Sequence, residues 1–273
     1  MPQNKKDIFS LKGKIAVVTG GLGQLGVQFS LVLAQRQAKV AIFDIKTKNI
    51  PGVIKKYIDN GKIKCFYADV TKPDSIKGAL EKTKSSFGSP DILINNAAID
   101  SAPDAPYEEN GPFEEYPESS WDKVMDANLK GVFLCSQIIG KEMAKLKRGS
   151  VINISSIYGL LSPDQRIYEY RRKKGRAFYK PVAYSVSKSG VLNLTRYLAA
   201  YWADFNVRVN TLTFAGVFNN QDTRFLKNYT KKLPMARMAR EDEYNGAVVF
   251  LASDASSYMT GSNLVIDGGY SCW

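Results

Sequence analysis

Two residues of this chain have the types and spacing for proton transfer: Tyr184 and Lys188, in the run Tyr184-Ser-Val-Ser-Lys188. Four positions apart on a helix, they share one face, so an ammonium can sit beside a phenol and favour its ionised form. A free phenol titrates near ~10, and a neighbouring cation lowers that value. A phenol tuned in this way exchanges a proton with a substrate hydroxyl near neutral pH. The chain contains no histidine, which removes the commonest general base and metal ligand. Zinc sites and Ser/His/Asp relays are therefore not expected, no metal is expected, and catalysis falls to Tyr, Lys, Ser or carboxylates.

A second constellation lies upstream. Thr19-Gly-Gly-Leu-Gly-Gln-Leu-Gly26 joins an apolar strand-like run to a helical one, and Gly21, Gly23 and Gly26 satisfy G-x-G-x-x-G. In that context glycines let the backbone approach a pyrophosphate at a helix N-terminus. Eighteen positions beyond Gly26, Asp44 ends the second strand-like run. An acid there accepts hydrogen bonds from an adenosine ribose diol and repels a 2'-phosphate, which favours NAD over NADP. Gly-rich strand-to-helix turns also occur for packing alone, and a strand-end Asp also serves as a turn cap.

The elements that must position these groups are legible as an alternation. Short β-rich runs at 14–19, 39–43, 63–67, 91–94, 151–154, 207–212 and 263–266 are separated by helical patterns at 23–36, 73–87, 120–147, 184–204 and 241–253. Such alternation predicts βαβ units and a doubly wound parallel sheet of about seven strands, an α/β Rossmann-like fold in one domain spanning 1–273. Two stretches read as additions at the carboxyl edge of the sheet: 100–120, rich in Pro and Glu, and 162–181, rich in Arg, Lys and Tyr. Ligands bind at that edge in open α/β folds.

Composition limits the alternatives. A chain of 273 residues with 44% hydrophobic content can bury one large core. No stretch has the roughly 18 to 20 apolar residues of a membrane span, and the start lacks an apolar signal core, so a cytoplasmic protein without membrane association is expected. Cys65, Cys135 and Cys272 are odd in number and widely spaced, which predicts reduced thiols. The formal charge of +12 suits anionic ligands. It is scattered apart from residues 171–176, RRKKGR, and an anionic small molecule is expected rather than nucleic acid.

Beyond these features, the chain resembles the short-chain dehydrogenase/reductase family over nearly its whole length. The resemblance is carried by the glycine turn, Tyr184-x-x-x-Lys188, Ala68-Asp69-Val70, Asn95-Asn96-Ala97, Asn128-Leu-Lys-Gly131, Asn153-Ile-Ser-Ser156, Thr260-Gly261 and Asp267-Gly-Gly269. It implies that Tyr184 is the acid/base and that Lys188 tunes it while binding the nicotinamide ribose. It makes Ser156 the hydroxyl donor, with Ser155 as its competitor, and Asn128 the anchor of a relay water. It also implies a cofactor cleft of Gly20, Gly23, Gln24, Leu25, Gly26, Asp44, Asp69, Val70, Asn96, Ala97, Tyr184, Lys188 and Val217. The family further implies a homodimer or homotetramer.

The departures are as informative. The turn reads T-G-x-x-G-x-x-G, with Gln24 where the common family form has glycine; Ala98 and Ala215 stand where glycine and proline are usual. Ser156 and Tyr184 are 28 positions apart, about twice the usual separation, so 162–181 is an insertion between two catalytic groups. It carries seven cations. Arg166, Arg171, Arg172 and Arg176 are candidates for a phosphate or carboxylate, because guanidinium binds both bidentately; the insertion reads equally as a solvated loop or a subunit contact. The expected substrate is an anionic, hydroxyl-rich sugar derivative, phosphorylated or nucleotide-linked. The Lys-Pro-x-x-Tyr-Ser-x-Ser-Lys stretch resembles members linked to bacterial surface-sugar or flagellin-glycan synthesis. The alternatives are a 3-oxoacyl thioester reductase and a catalytically silent dinucleotide-binding regulator.

Overall fold

The computed structural model describes residues 7–48, 50–100, 107–172 and 178–273. Seven strands form one parallel sheet in the order β3-β2-β1-β4-β5-β6-β7: β1 Ile15–Thr19, β2 Lys39–Asp44, β3 Ile63–Tyr67, β4 Ile92–Asn95, β5 Gly149–Ser156, β6 Val207–Phe214 and β7 Asn263–Ile266. The helices are α1 Gln24–Gln35, α2 Gly52–Asp59, α3 Pro73–Phe87, α4 Glu118–Met125, α5 Gly131–Lys145, α6 Ile157–Leu160, α7 Val182–Tyr201, α8 Thr223–Thr230 and α9 Asn245–Ala252.

Strand side chains alternate between faces, and the two sides of the sheet bury different helices accordingly. Ala16, Val18, Val40 and Ile42 pack with Phe29 and Leu33 of α1 and with Val248 and Leu251 of α9. Their neighbours Val17, Ala41, Phe43 and Leu93 pack with Ile76 and Leu80 of α3 and with Leu134, Ile139 and Met143 of α5. A sheet covered on both faces explains why the strand sequences read as continuous apolar runs. Each large side chain fully buried in this way contributes about 1.5–3 kcal/mol, which makes the two layers a rigid platform.

The strand order reverses between β1 and β4, and ligands bind outside the carboxyl ends of strands at such a switch point. The glycine turn leaves β1 at that place and packs directly on the exit of β4. A Cβ on Gly20 would lie 2.8 Å from the Ala97 Cα.

Three features depart from the expected elements. The long helix expected over 120–147 is α4 and α5 joined by a π-helical turn, Asp126–Lys130; such insertions cluster at functional sites. Helices α2 and α8 lie in stretches to which the sequence pattern assigns no element. The insertion is also more ordered than a projecting loop. Its Gln165–Arg171 segment is a 3₁₀ helix with Ile167 and Tyr168 buried, packed in one cluster with Tyr229 of α8 and Tyr270. The three thiols are unpaired. Among the described residues no helix is long and apolar enough to cross a membrane.

Candidate active site

Tyr184 and Lys188 lie in the first two turns of α7, which begins immediately after Pro181. Proline fixes the entry dihedral and cannot extend the helix backwards. Lys188 is buried, and its Nζ donates to the Ile154 carbonyl at 3.0 Å. Ser156 ends β5 and caps α6, its Oγ accepting from the Tyr158 N–H at 3.2 Å. The Ser156 and Tyr184 side chains line one cavity, and the Ser156 hydroxyl is near enough to favour the ionised phenol. Ser155 faces the other way and donates to the Lys188 carbonyl at 2.9 Å. Strand alternation thus separates the two candidate serines, and only Ser156 reaches the tyrosine.

The electrostatics differ from the expectation of a phenol lowered by Lys188. Burial pushes the Tyr184 phenol up, Asp100 adds to the rise, and the Ser156 hydroxyl opposes it. Burial also pulls the Lys188 ammonium down from 10.5 to about 8, against the pull of Asp100. Desolvation disfavours both charged forms and outweighs the attraction between them. Asn128, in the π-helical turn, uses its carboxamide to clamp Ile99: Oδ1 accepts from the Ile99 N–H at 2.7 Å and Nδ2 donates to the Ile99 carbonyl at 2.8 Å. Its side chain therefore fixes the loop after β4, and holding a water would fall to its main chain.

The expected cofactor residues converge on the same sheet edge. Gly23 caps α1 without a side-chain hydrogen bond, leaving the helix-terminal N–H groups without an intrahelical partner. The glycines divide by what a methyl would meet. A Cβ on Gly26 would lie 2.2 Å from the Gly20 carbonyl, and one on Gly21 would lie 2.8 Å from Ile42 Cγ2, so packing excludes it at both. A Cβ on Gly23 would meet only the Gly20 carbonyl at 3.4 Å, an ordinary contact. The free approach over Gly23 is a cradle that fits a pyrophosphate.

Around that cradle, Asp44 is buried and accepts from the Leu22 N–H at 3.0 Å and the Lys46 N–H at 2.8 Å. Asn96 ties the turn together, Nδ2 donating to the Thr19 and Gly20 carbonyls at 3.0 Å. Asp69 holds Thr71, and Val70 packs where a Cβ on Gly131 would collide with it at 2.9 Å. Gln24 departs from its expected role: its Nε2 donates to the Phe218 carbonyl at 2.8 Å, linking α1 to the segment after β6. Leu25 packs against the apolar cluster. The Val217 carbonyl accepts from Gln221 at 2.7 Å.

Ser156 and Tyr184 line a cavity of about 940 Å³. Of the three expected substrate arginines among the described residues, Arg171 alone lines it. Arg166 is turned outward and bound to Asp164 through two hydrogen bonds. Arg172 lies over Tyr179 and reaches the Phe178 and Gln165 carbonyls. Arg176 falls outside the described residues. A 3₁₀ helix has three residues per turn, so Arg166 and Arg171, five positions apart in Gln165–Arg171, leave it in different directions.

The cavity contains charges that the cation run in the sequence does not single out: Asp100, Lys180, Asp222 and Arg224. Arg224 is paired with Asp222 at 3.0 Å and lies over the Tyr170 ring; Lys180 is paired with Asp100. The only signal for Arg224 is Asp222-Thr-Arg at the head of a helix. Among the described residues no cluster suited to a metal is present.

A family model described as enoyl-(acyl carrier protein) reductase matches residues 24–271. The NAD-dependent glycerol dehydrogenase of Listeria innocua is 31% identical over 96% of this chain and 95% of its own length. The crystal structure of a short chain dehydrogenase from Leptospira borgpetersenii with bound NAD+ is 32% identical, with a TM-score of 0.83 over 99% of this chain and 96% of the other. A gluconate 5-dehydrogenase from Burkholderia cenocepacia, crystallised with NADP and tartrate, is 26% identical, with a TM-score of 0.84 over 98% of both chains. Relatives that act on CH–OH groups, one continuous match and the same seven-stranded fold make this chain an oxidoreductase of the short-chain dehydrogenase/reductase family, whose members bind nicotinamide cofactors.

Proposed function

We propose that the chain is one catalytic domain, working with NAD, that interconverts a secondary alcohol and a ketone on a small, anionic, hydroxyl-rich substrate. The observation that carries the reaction is that Ser156 and Tyr184 line the same cavity wall, with buried Lys188 one turn further along the helix. When bound, the nicotinamide supplies the hydride acceptor. In reduction Ser156 orients the substrate oxygen and the Tyr184 phenol gives it a proton, leaving the tyrosinate; in oxidation the tyrosinate takes the substrate proton and becomes the phenol. Lys188 binds the nicotinamide ribose and favours the tyrosinate, the form from which oxidation starts and with which reduction ends. Gly23 and the α1 N-terminus receive the pyrophosphate, Asp69 and Val70 flank the adenine, Asn96 and Ala97 wall the cleft, and the Val217 N–H is its main-chain donor.

Asp44 supports the preference for NAD. Its carboxylate is fixed at the end of β2 by two backbone N–H groups, so it cannot swing from an incoming 2'-phosphate, and like charges repel.

The cavity lining supports the substrate class. Arg171 and Arg224 supply guanidinium groups, and Asn110, Tyr170, Asn219 and Gln221 supply amides and hydroxyls suited to a polyol. The glycerol dehydrogenase and the tartrate-bound neighbour are consistent with such a ligand. Surface-glycan synthesis as the setting rests on the Lys180-to-Lys188 resemblance alone. Exposed Phe133 on α5 and Tyr197 and Tyr201 on α7 support pairing of those helices in a homodimer or homotetramer.

The test is NADH formation with neutral polyols set against their acid or phosphate counterparts. Faster turnover of the anions, lost in Arg171→Met and Arg224→Met through a raised KM, is the expected result. Equal use of neutral polyols would remove the anionic part of the reading. A relative from Thermotoga maritima named as a 3-oxoacyl-(acyl carrier protein) reductase, 32% identical over 95% of this chain, keeps a thioester reductase as the second reading; it requires turnover of a 3-oxoacyl thioester, with NADPH.

A further inference from the structure

Among the described residues, the cation nearest the Tyr184 ring is not the one the motif supplies. The Nζ of Lys180 lies 4.9 Å from the ring centroid, against 5.8 Å for Lys188. The two differ in commitment as well as distance. Lys188 spends a hydrogen bond on the Ile154 carbonyl within the sheet layer, whereas Lys180 approaches from the cavity and is paired there with Asp100.

Lys180 is also held unusually well for a long basic side chain. Its side chain is 11% exposed. Its backbone is gripped on both sides by one residue of the insertion: the Lys180 N–H donates to Gln165 Oε1 at 2.8 Å, and Gln165 Nε2 donates to the Lys180 carbonyl at 3.2 Å. Pro181 follows and biases Lys180 away from helical dihedrals. The 3₁₀ helix of the insertion thereby fixes the point from which the ammonium reaches Tyr184.

We propose that Lys180, clamped by Gln165 and paired with Asp100, is a positioning residue that sets the proton affinity of Tyr184 from the substrate side of the ring. The proposal rests on the reading of Tyr184 as the proton-exchanging group. An ammonium over the ring favours the phenolate and a carboxylate opposes it, so the pair acts as two opposed controls. Asp100 does raise both Tyr184 and Lys188. The other groups facing the phenol are Ser156, Tyr158 and Tyr168, with Lys188 on the same helix and Arg171, Asp222 and Arg224 across the cavity. The insertion between the catalytic serine and tyrosine is thus tied to the chemistry as well as to substrate.

The test is a fluorine NMR titration of the full-length protein carrying a fluorinated tyrosine, whose more acidic phenol brings the titration into range. The Tyr184 signal is assigned by its loss in Tyr184→Phe. Lys180→Met should raise the Tyr184 midpoint by about one unit, and Asp100→Asn should lower it by a similar amount. Lys180→Arg should stay near wild type. Gln165→Ala, which keeps both charges but frees the backbone, should give a smaller rise. An unchanged midpoint in Lys180→Met, or shifts of the same sign in Lys180→Met and Asp100→Asn, would overturn the proposal. Turnover retained in Tyr184→Phe would instead defeat the underlying reading while leaving the midpoints as a separate result.

Discussion

The glycines of the β1–α1 turn can be separated into those that packing requires and one that a ligand requires. In Gly26→Ala the new methyl starts 2.2 Å from the Gly20 carbonyl oxygen and 2.6 Å from the Gly21 Cα, both backbone atoms of the turn itself. Reaching the 3.4 Å of an ordinary contact takes a shift of 3.4 − 2.2, or 1.2 Å, which no side-chain rotation supplies. Overpacking of that kind costs about 1–3 kcal/mol, or a fall in Tm of roughly 2–4 °C per kcal/mol for a chain of this size. In Gly23→Ala the methyl has room, and the penalty is the poorer helix cap, about 1 kcal/mol or less. That methyl nevertheless stands over the open N–H groups of α1. Losing a charge-assisted hydrogen bond to a pyrophosphate costs about 1.5–3 kcal/mol, a roughly 10- to 100-fold rise in Kd. Calorimetric titration with NAD, alongside thermal melts, reads both effects. Gly23→Ala should melt near wild type and bind NAD weakly, and Gly26→Ala should melt well below both. Wild-type NAD affinity in Gly23→Ala would refute the placement of the cofactor on this helix end.

Other outcomes follow from the same geometry. Lys188 is held at about 8 in the fold against 10.5 ordinarily, so the folded chain binds fewer protons than the unfolded chain across that window. Its cost is complete below pH 8 and relieved as pH rises towards 10.5, up to about 3 kcal/mol. The stability of Lys188→Met relative to wild type should therefore shrink over that range in denaturant titrations, while Cys65 and Cys135, raised by burial to about 11 and about 12, act equally in both proteins. Asp44→Asn keeps an acceptor for one backbone N–H but removes the charge, and the NADP-to-NAD ratio of kcat/KM should rise by about tenfold or more. Ser156→Ala should lower kcat/KM by at least about 100-fold, whereas Ser155→Ala, which loses only its bond to the Lys188 carbonyl, should act chiefly on stability.

Much of this was readable from periodicity. All seven strands fall within two residues of their sequence-based bounds, because parallel strands covered on both faces show as unbroken apolar runs between helical patterns. The π-helical turn at Asp126–Lys130 has no such signature; its residues suit an ordinary helix, and only packing against α7 and the loop after β4 selects it. The motif residues were legible as a set, but the direction each side chain takes was not. Ser155 and Ser156 are equivalent in sequence and opposite in space. The four arginines of the insertion looked like one patch, yet the 3₁₀ helix turns Arg166 outward and Arg171 inward. Asp100, Lys180 and Arg224 come from three separate elements, and no local pattern joins residues that meet only through the tertiary fold.

The central claim is that Tyr184 exchanges the substrate proton in an NAD-dependent oxidation. Its most direct measurement is NADH formation by wild type and Tyr184→Phe with whichever polyol or sugar acid the wild type turns over, with NAD affinity determined for both. The account predicts a fall in kcat of at least about 100-fold with NAD binding unchanged. Near-wild-type turnover in the variant would contradict it.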